Sequence, residues 1–151
     1  MAQLTMSCRC YDREHDETGI PVMIELSNTI HGYSRPETKE RLLDFYTNIL
    51  SLKPTTAPPG YWTGSPDKFY GFQFPNGMVL SGEFTESALE EAQNDQQAQR
   101  GLWLMLRTDD AEGLQQRVRA FGLKRIIHPH TDFFYIEAPG GQVFRIVSKN
   151  R

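Results

Sequence analysis

YGFQFPNGMVLS (residues 70–81) and FYIEAPGGQVFR (residues 134–145) carry the same punctuation. With Pro75 set against Pro139, each stretch has an aromatic strand and a P-x-G reversal. Each then has a second strand with valine four residues after the proline, Val79 and Val143. Asn76-Gly77 and Gly140-Gly141 supply the positive φ that tight reversals need. Working outward, the segment before each hairpin holds an amphipathic helix, and the helices end alike, LSLK at 50–53 and FGLK at 121–124. Two matches in the same order predict an internal duplication, each half reading strand, helix, strands.

The first helix is predicted over about 36–51. Ser34 and Glu37 have the spacing of a capping box, Leu42, Phe45 and Ile49 recur at helical steps, and Pro54 lies beyond the end. The second is predicted over about 110–121. Asp109 and Glu112 have cap spacing, Leu114, Val118 and Phe121 form the stripe, and Gly122 suits the stop. Strands are predicted within 21–33, at 69–74 and 78–84, and then at 102–107, 124–128, 133–138 and 142–147. The nearly continuous apolar run at 102–107 reads as a strand covered on both faces. Residues 86–100, ESALEEAQNDQQAQR, read as a solvated linker, partly helical, and residues 1–20 as a polar N-terminal arm. The expected organisation is one domain over 21–151, with module one at about 21–85 and module two at 101–148.

A chain of 151 residues with 38% hydrophobic residues can bury a real core. Its net charge of −3 argues against nucleic acid as a partner. No apolar run is long enough to span a bilayer, and the first residues lack the features of a secretory or transit peptide, so a cytoplasmic location is expected. Cys8 and Cys10 are too close for a good disulfide, and with His15 they fall short of a metal site, so exposed thiols are the simpler reading.

The pattern resembles the vicinal oxygen chelate superfamily, which includes glyoxalase I, fosfomycin-resistance proteins, bleomycin-binding proteins and extradiol dioxygenases. LLDFYTNILSLKP (42–54) is similar to that family's first helix. LRTDDAEGLQQRVRAFGLK (106–124) and FFYIEAPGGQVFRIVS (133–148) are similar to its second helix and final hairpin. The resemblance implies an α+β fold of two tandem β-α-β-β-β modules, whose curved mixed sheets surround a pocket, often completed across a homodimer. It also implies a divalent metal held by side chains of the strands. Carried over by position, the expected ligand sites fall at His31, Trp103 and Arg145, with Ser81 at the matching place in module one and Glu83 two residues on. Tryptophan is no ligand here and arginine is a permanent cation, so the usual metal site is not expected and no cofactor is assigned.

The candidate residues then read as follows. Arg145 is expected either to bind a ligand anion or to pair with Glu83 or Glu137. Trp103 serves as core packing or as a stacking wall. Tyr70, Phe72 and Phe134, together with Ser81, are assigned to ligand binding, and Tyr61, Trp62, Phe133 and Tyr135 could add aromatic surface. His31 is the catalytic candidate with Glu83 as its partner, or else a structural group. His128 and His130, separated by Pro129, read as a loop rather than a metal pair. The expected function is metal-free binding of a small aromatic or anionic molecule. The alternatives are a cofactor-independent isomerase, cyclase or lyase, and a metal-dependent lyase or dioxygenase with a non-standard site. The residues do not choose between enzyme and binding protein.

Overall fold

A computed structural model describes residues 27–55, 66–98 and 101–149. The arm, Cys8, Cys10, His15, Tyr61 and Trp62 lie outside the described residues, as does most of the strand expected before Thr29.

The first module runs β1 (Thr29–Ser34), α1 (Lys39–Asp44), β2 (Lys53–Pro54), β3 (Phe69–Gln73) and β4 (Val79–Phe84). A one-turn helix, α2 (Asp95–Ala98), lies in the connection. The second module runs β5 (Trp103–Thr108), α3 (Ala111–Ala120), β6 (Ile126–His128), β7 (Thr131–Glu137) and β8 (Val143–Ser148). The two sheets have the same topology, β1-β4-β3-β2 and β5-β8-β7-β6. In each, the first strand pairs parallel with the last and the remaining pairs are antiparallel. A parallel partner requires a crossover, and the helix of each module provides it. The fold is therefore α+β, with two mixed four-stranded sheets that do not close into a barrel.

Both helices pack on the same side of their sheets, and the two sets share one core. Tyr46 lies at its centre, stacked on Phe72 of the first sheet with centroids 4.8 Å apart and edge-on to Phe144 of the second at 6.2 Å. Phe45 meets Phe121, at the end of α3, at 5.6 Å. Phe45, Tyr46, Phe72 and Phe144 belong to one buried cluster with Leu42, Leu114, Val118, Ile136 and Ile146, and Phe121 packs against it. Because side chains alternate across a strand, the opposite faces of both sheets point away from this core.

Several expectations change. Ser34 is no helix cap. It ends β1 with its side chain in the core, where its hydroxyl bonds the Tyr70 phenol at 3.0 Å and donates to the Gly140 carbonyl at 3.4 Å. Glu37 pairs with Arg35 instead. A 3-10 turn (Pro36–Thr38) precedes α1, and a π-type turn (Phe45–Ile49) widens its end. The second helix is capped by Asp110, one residue later than expected, whose carboxylate accepts from the Gly113 amide at 2.9 Å. β5 is covered on one face only, since Trp103 and Met105 are 46% and 47% exposed. The connecting segment is largely exposed but is anchored at points: Ala98 is buried with Ile126, Tyr135 and Val143. The Ala92 amide donates to Glu137 at 2.9 Å, and the Ile127 amide to Asp95 at 3.2 Å.

The matched helix ends share a backbone device. Ser51 has φ 56° and Gly122, its counterpart, φ 93°. That left-handed conformation costs a non-glycine residue about 1 kcal/mol, part of which glycine returns as unfolded-state entropy. Ser51→Gly is expected to stabilise the protein by roughly 0.5 kcal/mol and Gly122→Ser to destabilise it by about 1 kcal/mol. Urea unfolding measures both, and unchanged midpoints would refute the shared stop. Burial also raises the pKa of Tyr46 well above the ordinary tyrosine value of 10.0. Burial raises Tyr70 as well, with the Ser34 hydrogen bond opposing. A raised folded value means stability is full below pH 10 and is lost above it, as the unfolded chain ionises first. Tyr46→Phe is therefore expected to move the alkaline unfolding midpoint upward in a pH titration followed by circular dichroism.

Candidate functional site

The turn of the last hairpin sets the site. The Ala138 amide donates to the Gln142 carbonyl at 2.8 Å, which pairs Glu137 with Val143 and Tyr135 with Arg145. Phe133, Tyr135, Val143, Arg145 and Val147 consequently share the face turned from the core, while Phe134, Ile136, Phe144 and Ile146 fill the core. On the other side of β8, the parallel pairing of Met105 with Arg145 adds Met105 and Trp103 to the same open face.

There the Arg145 guanidinium lies over the Phe133 ring, 3.3 Å from its centroid, and 5.9 Å from that of Trp103. Trp103 in turn stands edge-on to Tyr135 at 5.9 Å. Arg145 makes no ion pair with any described residue, and its Nε is buried without a hydrogen-bond acceptor. The expected pairing with Glu83 or Glu137 does not form. The Glu137 carboxylate is taken up by the Ala92 amide, and Glu83 sits on the other sheet beside Tyr33. A small cavity of ≈ 230 Å³ adjoins Trp103, lined by Ala98, His128, Tyr135 and Val143. His128 closes β6 and stacks on Tyr135 at 5.6 Å, and its Nδ1 accepts from the His130 amide at 3.1 Å.

On the first sheet, His31 stands opposite Ser81, and its Nδ1 lies 3.2 Å from the Ser81 hydroxyl. Ser81 is buried, and His31 is edge-on to Tyr33 at 5.6 Å. Glu83 falls two register steps further on, opposite Tyr33 rather than His31. The histidine thus meets a hydroxyl where a carboxylate was expected.

Of the residues singled out from sequence, Trp103 and Arg145 come together, as do His31 and Ser81. Tyr70, Phe72 and Phe134 are buried in the core cluster, because their strand positions face the helices, although Tyr70 also lines a small cavity with His31 and Phe134 the cleft beside Arg145. The arginine's aromatic shelf is Phe133, the neighbour of Phe134. Its signal was present in the hairpin, since a four-residue reversal across Pro139-Gly140-Gly141 already places odd-numbered β7 residues beside Arg145. Met105 was missed because it reads as core in an apolar run.

No protein-family model matches the chain, and no curated protein matches it. Solved structures do. The chain is similar to a glyoxalase/dioxygenase from Nostoc punctiforme, with TM-score 0.64 and 17% identity over 84% of this chain and 97% of that one. It is similar to a glyoxalase/bleomycin resistance protein/dioxygenase from Nocardioides, with TM-score 0.57 and 15% identity over 87% and 88% of the two chains. It is also similar to a mutant of the fosfomycin resistance protein FosX from Listeria monocytogenes, in complex with manganese(II), with TM-score 0.55 and 15% identity over 82% and 90%. The chain has the vicinal oxygen chelate fold.

Strand pairing also tests the metal positions. His31 opposes Ser81 in the first sheet, and Met105 opposes Arg145 in the second, so the internal counterpart of His31 is Met105, two residues beyond Trp103. An imidazole, a hydrogen-bonded hydroxyl, a thioether and a permanent cation do not fit a divalent ion, which needs three or four convergent donors. Among the described residues no group of three or more His, Cys, Asp or Glu side chains could hold one. No helix among them is long and apolar enough to cross a membrane.

Proposed function

We propose that this chain binds a small aromatic carboxylate, or a similar planar anion, on the open face of its second sheet, with no resident metal. One observation carries this reading. The Arg145 guanidinium lies over Phe133, with no ion-pair partner among the described residues and a buried Nε lacking an acceptor. A guanidinium fork matches a carboxylate in bidentate geometry. Trp103, Met105 and Phe133 supply the apolar and aromatic walls that a planar ligand needs. The aromatic contact orients the cation but does not neutralise it, so an anion completes the site.

A thermal-shift screen of aromatic carboxylates, beginning with benzoate, tests it, because binding to the folded state raises the melting temperature. Arg145→Leu is expected to weaken binding by about tenfold or more, and Trp103→Ala by a smaller factor. Undiminished affinity in Arg145→Leu would remove that residue from the site.

The His31–Ser81 contact favours a second reading, an enzyme in which the imidazole moves a proton to or from a substrate. In that case His31→Ala abolishes turnover while leaving the ligand dissociation constant within about twofold. If turnover survives the substitution, His31 is structural.

A further inference from the structure

β7 and β8 are paired only as far as Phe134–Ile146. Beyond that point β8 stays with β5 through Ser148–Thr108, and β7 stays with β6 at Thr131–His128. The second sheet therefore divides at this end, and a cleft of ≈ 750 Å³ occupies the division. Arg107, Arg119, Arg125 and Arg145 line it, against the carboxylates of Glu112 and Asp132. The whole chain carries a net charge of −3, so this cleft reverses the sign of the molecule that contains it.

The arginines are only partly engaged. Arg107 donates to the Lys149 carbonyl at 3.2 Å, and Arg119 lies 4.9 Å over the Phe134 ring. Arg125 donates to the Asp132 carbonyl at 2.8 Å and pairs with its solvent-exposed carboxylate at 3.5 Å. The Nε atoms of Arg125 and Arg145 are both buried without an acceptor, as is the hydroxyl of Thr131 at the start of β7. Clustered guanidinium groups repel one another and leave donors unmet, and an anion in the cleft relieves both costs.

We infer that the divided end of the sheet is a further binding site, overlapping the first at Arg145, for a phosphorylated small molecule. A phosphoryl group carries close to two negative charges and offers oxygens in several directions, which suits donors arriving from α3, β5, β8 and the approach to β6. The volume exceeds that of phosphate alone, and Ala111, Met105, Phe133 and Val147 give the organic remainder an apolar wall. This site goes beyond the aromatic-carboxylate reading, with which it shares Arg145, Met105 and Phe133.

The test is titration of the full chain with pyrophosphate, followed by calorimetry and by melting temperature, against sodium chloride at matched ionic strength. Pyrophosphate is expected to stabilise the protein where chloride does not. The double variant Arg119→Gln/Arg125→Gln is expected to weaken pyrophosphate by about tenfold or more while benzoate binding is retained. Arg107→Gln, at an exposed position, gives an independent variant with an expected loss of about threefold or more. Equal effects of pyrophosphate and chloride, or wild-type pyrophosphate affinity in both variants, would overturn the inference. Benzoate binding that is lost in Arg145→Leu but kept in the double variant separates the two sites, so each stands or falls by its own probe.

Discussion

The packing of Tyr46 between the two sheets governs the rest of the molecule. Its ring stacks on Phe72 and meets Phe144 edge-on, so one side chain from the first helix region touches both modules at once. Such aromatic pairs contribute about 0.5–1.5 kcal/mol each beyond the area they bury. Their larger effect is geometric. They commit the helix-facing sides of both sheets to one core, and strand alternation then commits every second side chain to the outside. Ser34 reinforces the arrangement with a polar link, joining Tyr70 of one module to the Gly140 turn of the other. To admit it, β1 and β4 place Gly32 opposite Gly82, and a side chain added at Gly82 would collide with the Tyr70 phenol.

Arg145 follows from that constraint. Its position in the strand forces it onto the open face, where Phe133 and Trp103 restrict its access to water. A cation over an aromatic ring gains about 0.5–2 kcal/mol, while a buried N–H without an acceptor costs about 1–3 kcal/mol. The two nearly cancel, so the site is tolerated by the fold without being satisfied by it. A cation in that condition binds an anion well, because most of its desolvation has already occurred on folding. The His31–Ser81 pair is different: it is met internally by a hydrogen bond, and it serves chemistry only if that bond is exchanged for one to a substrate.

The duplication, the helices and the strands were legible because they rest on local rules: reversal residues, helical spacing and alternation. The topology then confirmed the repeat strand for strand. Where the sequence reading failed, the cause was long-range. Ser34 and Glu37 have the spacing of a helix cap, but a buried phenol 36 residues away took the serine hydroxyl. The β5 run looked fully covered, because apolar residues on an open face resemble apolar residues in a core. Tyr70, Phe72 and Phe134 were placed in the pocket by their aromaticity, although the register of their own hairpins puts them opposite. The arginine cleft could not be read at all, since its four members come from α3, β5, β8 and the approach to β6 and meet only where the sheet divides.

The connection between the modules lies across part of the open face. Ala98 covers Tyr135 and Val143, and the segment before it is tied to Glu137 and Ile127, while Trp103 and Met105 stay exposed. The boundary of the proposed binding surface is thus drawn by a segment outside both repeats. Insertions or deletions there would change the area of open face without disturbing a single sheet pairing. The molecule thus separates two kinds of change: the repeated modules set the scaffold, and the length of the tether between them sets how much of the proposed binding face is open.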